Sequence, residues 1–162
     1  MISIFGDADV GRKNVAFGIG LFLMLGVVVG APLTIDFLGG SLLTRDQYQT
    51  WKVVHGYGVF LSFVNLFLGL CIDRLNLTSG QKEITSWSFL LAGLVGGGCR
   101  MLLVLFSALG EYGQYASLAE TALFVLGSFV LVRGQSQALS ERSRGLTAGA
   151  GNSHANDTGI AL

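Results

Sequence analysis

The chain has 162 residues, of which 51% are hydrophobic and 12% charged; ten basic residues balance ten acidic ones, and the mean hydropathy is +0.62. A composition this apolar excludes an ordinary soluble domain, and the zero net charge without a dense basic patch excludes nucleic-acid binding. A spanning helix needs roughly 20 largely apolar residues to cross about 30 Å of hydrocarbon. Four runs qualify: residues 15–38, 53–72, 87–109 and 116–132.

Residues 1–14 read as a short cytoplasmic segment. Arg12 and Lys13 precede the first run, but it is too long for a signal peptide and no small-residue cleavage pattern closes it. Gly26 and Gly30 have the small-xxx-small spacing that lets helices approach closely. Pro32, the only proline, lacks a backbone donor and clashes with the preceding turn, so the helix is predicted to bend or end around Gly30 and Ala31. Asp36 stands at its outer end.

The second run, within WKVVHGYGVFLSFVNLFLGLCIDR, carries His55 near its start, Gly58 on the flank of the same face, Asn65 further along and Cys71 near its end. The third contains GLVGGGCR, with glycines at 93, 96, 97 and 98 followed by Arg100. Such a cluster permits close helix packing, and equally makes room for a planar ligand. The fourth carries Glu120. Residues 134–162 turn rich in Gly, Ser, Ala and Asn, predicting a flexible tail that includes His154. Cys71 and Cys99 belong at different depths, too far apart for a disulfide.

Short connections predict an all-α integral membrane four-helix bundle over residues 15–133, with antiparallel neighbours. Seven basic residues (Arg12, Lys13, Arg74, Lys82, Arg133, Arg142, Arg144) fall on one side against Arg45 and Lys52 on the other, which places both termini in the cytoplasm and the protein in the cell membrane.

Ionisable side chains at membrane depth are costly and ask for a partner or a job. At about 1.5 Å per residue, Arg100 rises to roughly 20 Å from the cytoplasmic face, and His55 and Glu120 lie at roughly 24 to 26 Å. Arg100 can pair with Glu120, or hold an anionic group such as a carboxylate or a cofactor propionate. A histidine at the depth of His55 is either hydrogen-bonded across helices or a ligand. One intramembrane histidine cannot build a zinc or di-iron site, but it suffices for a five-coordinate haem.

The segment FLGG at 37–40, then Trp51-x-x-x-His55, then L-F-S at Leu105 to Ser107, together with length and four-helix plan, resembles the styrene oxide isomerase family over roughly residues 15–133. The resemblance implies a membrane homotrimer that binds haem b through His55. Its ferric iron would act as a Lewis acid on a lipophilic epoxide and yield an aldehyde or ketone. Arg100 would then neutralise a propionate or pair with Glu120.

The sequence departs from the family at two polar positions: Leu61 replaces an asparagine and Val104 a tyrosine. Asn65 and Tyr57 are nearby but differently spaced. Two alternatives therefore stand beside the isomerase: a haem-binding membrane protein without turnover, and a small transporter or partner subunit with a polar path through Arg100, Glu120 and Asp36.

Overall fold

The computed structural model describes residues 9–106 and 112–156, with side chains left aside at 103–105 and 145–156. Every element among them is helical. Helix α1 comprises Gly11–Leu21, a wide π-helical stretch Phe22–Val28, and Gly30–Phe37. Helix α2 runs Arg45–Cys71 and closes in a 3-10 turn, Ile72–Arg74. Helix α3 comprises Ser79–Gly93, a second π stretch Leu94–Cys99, and Arg100–Leu105. Helix α4 is Gly113–Asn156.

Three helices among the described residues, Gly11–Phe37, Arg45–Arg74 and Gly113–Arg144, are long and apolar enough to cross a membrane. Their outward faces fit that reading. Phe22, Val28, Phe60, Phe67, Val125 and Phe129 are exposed on the isolated chain, a distribution that water would penalise and lipid would not.

Two helices begin well before their apolar runs because each has its own start signal. Thr44 accepts a hydrogen bond from the Gln47 amide at 3.3 Å, and the Gln47 side chain accepts from the Thr44 amide at 2.9 Å. Thr78 and Gln81 repeat the arrangement at the head of α3. Both are reciprocal capping boxes that satisfy amides a helix would otherwise leave unpaired. Helix α1 is fastened differently: the Asp73 carboxylate, from the end of α2, accepts from the Gly11 amide at 3.0 Å and the Val10 amide at 3.3 Å.

Packing runs in register along the helix pairs. Ascending residues of α1 meet descending residues of α2: Gly11 stands against Gly69, Gly18 against Ser62 and Leu66, Leu25 against Gly58, and Gly30 against His55. Helices α3 and α4 pair likewise, with Gly134 against Leu77, Gly127 against Ser88 and Phe89, and Gly96 against Glu120. The two pairs meet where Gly93 receives Phe17 and Gly97 receives Leu21 and Leu25. The buried core gathers Leu21, Leu25, Val29, Val54 and Leu61 around this crossing.

The sequence predicts that the helix bends or ends around Gly30 and Ala31, and it changes there: the π stretch stops at Val28, Val29 is a turn, and an α-helical segment runs from Gly30 to Phe37. The helical ladder widens just upstream of the proline, with the Val29 amide donating back to Met24 rather than to Leu25. The tail predicted from residue 134 is helical through Asn156. The stretch GQSQALSERSR contains no proline and several good helix formers, so nothing stops the helix where the apolar run ends. Residues 157–162 and 1–8 lie outside the described residues, as does Ser107 of the L-F-S motif.

Candidate functional site

His55 is half-buried on α2, and its setting follows from the widened turn of α1. The ring nitrogen Nδ1 lies 3.0 Å from the Leu25 carbonyl oxygen. A carbonyl can only accept, so Nδ1 carries the proton and donates, leaving Nε2 with an unshared lone pair. The Leu25 carbonyl is available because Val29 has turned its amide to Met24. The imidazole lies against Gly30, where a Cβ would stand 2.8 Å from Cε1 and 3.1 Å from Nδ1. Only glycine leaves space for the ring there.

His55 lines an open cavity of ≈ 630 Å³ together with Gly26, Gly30, Thr34 and Phe37 of α1 and Tyr48 of α2. Its walls are mostly apolar, and the Thr34 hydroxyl is occupied in donating to the Gly30 carbonyl at 3.0 Å. Among the described residues Nε2 has no hydrogen-bond partner, and no three His, Cys, Asp or Glu side chains gather to hold a metal. A site built on one histidine therefore suits a group that brings most of its own ligands, as a haem does with its four porphyrin nitrogens. The donor set fits: one nitrogen with a fixed tautomer, beside a mostly apolar space of suitable size.

Arg100 is placed elsewhere. Its Nη2 donates to Glu120 Oε2 at 2.8 Å and to Ser117 Oγ at 3.1 Å, while the guanidinium carbon sits 3.9 Å over the Tyr57 ring. The ion pair is well enclosed, with side-chain exposures of 17% and 9%. Tyr57 follows His55 by two residues, which turns it about 200° around the helix. Arg100 is not among the residues lining the His55 cavity, and the structure does not bring the two together.

Asp36 is likewise occupied, accepting from the Leu42 amide at 2.7 Å and the Leu43 amide at 3.1 Å, where it holds the loop into α2. It does not join Arg100 and Glu120 in a continuous set of hydrogen bonds. The glycine cluster is filled from within: Gly93 and Gly97 by α1 side chains, Gly96 by the Glu120 carboxylate. Cys71 and Cys99 are free thiols.

Sequence reasoning missed one buried polar centre. Asn65 Nδ2 donates to the Leu61 and Phe89 carbonyls at 3.0 and 3.1 Å, and its Oδ1 accepts from Asn14 Nδ2 at 3.0 Å. Asn14 also donates to the Ser86 carbonyl at 3.0 Å and accepts from the Ser86 hydroxyl. Asn14, the amide side chain immediately before the first apolar run, was the signal. Leu61, at the family's asparagine position, is buried in the core and 2% exposed.

Among the described residues every element is helical and three helices are long and apolar enough to cross a membrane, and a histidine with a spare ring nitrogen borders an open, mostly apolar cavity. No protein-family model, curated protein or solved structure matches the chain.

Proposed function

We propose that this chain is a haem-b-dependent membrane isomerase that converts a lipophilic epoxide into an aldehyde or ketone. Under this reading it is a multi-pass protein of the cell membrane with both termini cytoplasmic, and it works as a homotrimer, as the resemblance to styrene oxide isomerases implies. The observation that carries it is the state of His55: Nδ1 is committed to the Leu25 carbonyl and Nε2 is free beside a ≈ 630 Å³ cavity.

When bound, ferric haem would supply a Lewis acid. The chain's own residues do the rest. His55 Nε2 would hold the iron, and the Leu25 carbonyl fixes the ring's tautomer and raises its basicity. Gly30 sets the ring plane by close contact. The apolar wall from Gly26 to Phe37 would gather an oily epoxide and disfavour the water that diverts it to a diol. Arg100 and Glu120 act in this reading as an ion pair joining α3 to α4.

A second reading, haem binding without turnover, is favoured by Leu61. A buried leucine replaces the family's asparagine, and Asn65 is too fully engaged with Asn14 and Phe89 to substitute for it. The deciding experiment is an absorption spectrum of the detergent-purified protein, followed by incubation of ferric and reduced forms with aryl and alkyl epoxides. A Soret band lost in His55→Ala and aldehyde formed by the ferric form support the isomerase. A Soret band without any carbonyl product supports the second reading, and no Soret band after haem supplementation refutes both.

A further inference from the structure

One face of α2 carries more than the histidine. At 100° per residue, Arg45, Tyr48, Lys52 and His55 fall within an arc of about 80°. Tyr48 and His55 line the cavity, and Lys52 lies between them along the helix, four residues after one and three before the other. Its neighbour Trp51 packs on the core and Lys52 is exposed; Lys52 and Arg45 do not themselves line the cavity but share the helix face of Tyr48 and His55, which do. Side chains on a helix lean toward its N-terminus, so Lys52, about one turn before His55, leans toward Tyr48 and Arg45.

The charges on this face are unspent. Neither Lys52 nor Arg45 forms an ion pair among the described residues. Of the acids nearby, Asp36 is held by the Leu42 and Leu43 amides, and Asp46 lies about 100° around the helix from Arg45, away from Lys52. Two cations without ion-pair partners thus stand on the helix face that also carries Tyr48 and His55 of the mostly apolar cavity.

We propose that Lys52, with Arg45 beyond it, binds the carboxylates of the group that His55 holds, so that the site selects a flat apolar ligand with acidic groups at one edge. This rests on the haem reading and assigns the propionate contacts to α2 rather than to Arg100. An ammonium on a flexible stem suits a carboxylate at the membrane boundary, where its own charge stays partly hydrated. The same two cations could instead meet acidic lipid headgroups, which are the competing source of this chemistry.

The test titrates full-length protein, depleted of haem and held in phosphatidylcholine nanodiscs, with ferric protoporphyrin IX and separately with its dimethyl ester, following the Soret band at low salt. The wild type binds the diacid more tightly than the ester. Lys52→Gln weakens diacid binding by about tenfold, the loss of one charge-assisted hydrogen bond, and leaves ester binding unchanged; adding Arg45→Gln weakens it further. An acid-to-ester ratio that stays at the wild-type value in Lys52→Gln overturns the proposal. So does a variant whose only change is reduced association with phosphatidylglycerol, which would assign both cations to lipid. Loss of the His55-dependent Soret band in the wild type itself would overturn the haem reading and this inference together, whereas a normal band with an unchanged ratio removes only the role of Lys52.

Discussion

Replacing Glu120 by Met, which keeps the length of the side chain and removes its charge, leaves Arg100 as an unpaired cation inside the helix pair α3 and α4. Breaking a buried ion pair by removing one partner typically costs about 3–5 kcal/mol. Here Arg100 keeps Ser117 at 3.1 Å, the Tyr57 face at 3.9 Å and a 17% exposed side chain, all of which soften the loss. Taking these together, the expected cost is about 2–4 kcal/mol. Arg100→Met is milder, about 1–2 kcal/mol, because a stranded carboxyl can take up a proton while a guanidinium stays charged. The double variant Arg100→Met/Glu120→Met leaves no stranded charge, and returns to within about 1 kcal/mol of the wild type. Unfolding midpoints in mild detergent for the four proteins form a double-mutant cycle that reads these terms directly. The reasoning fails if the double variant costs the sum of the singles, or if losing Arg100 is worse than losing Glu120.

Gly30→Ala puts a methyl group 2.8 Å from His55 Cε1 and forces the ring off the Leu25 carbonyl, so haem retention measured by transfer to apomyoglobin should weaken by about tenfold or more; retention equal to wild type would show that the carbonyl contact does not matter. Asn65→Ala removes interhelical bonds to Asn14 and Phe89, each worth about 0.6 kcal/mol in a membrane protein, and opens a cavity besides, for a total near 2–3 kcal/mol. The loss should be strongly non-additive with Asn14→Ala in the same unfolding assay.

How much of this could be read from sequence depended on what each feature costs. Long apolar runs are enforced by the solvent, and three of the four lie in helices long and apolar enough to cross a membrane. Depth put Arg100 and Glu120 at a similar level and left two readings open, a pair or an anionic group held by Arg100; the structure shows the pair. Helix ends were less legible because hydropathy does not see them: α2 begins at Arg45, eight residues before its apolar run, on the strength of Thr44 and Gln47. The T-x-x-Q spacing was there to be read at 44–47 and again at 78–81. The widened turns were not, because a π stretch leaves composition untouched and shows only in which carbonyl each amide reaches. The role of Gly30 was hidden for the same reason: its spacing from Gly26 reads as helix packing, yet what packs on it is the His55 ring.

Satisfaction of hydrogen bonds separates the two polar centres of this chain. Asn14 and Asn65 spend both amide protons on carbonyl or amide oxygens, and Ser86 completes the set, so nothing there is left to bind a ligand; that centre joins α1, α2 and α3. The His55 centre is built the other way. Pro32 removes one backbone donor, the ladder of α1 widens upstream, Val29 donates one carbonyl further back, and the Leu25 oxygen becomes free to take the Nδ1 proton. Each step satisfies one group and leaves another open, and the last group in the chain is Nε2, half-buried at the edge of an apolar cavity. A histidine meant only to join helices would pair both nitrogens or pack its bare one against the core. Under the proposed function, that remaining nitrogen is the one a ligand would take.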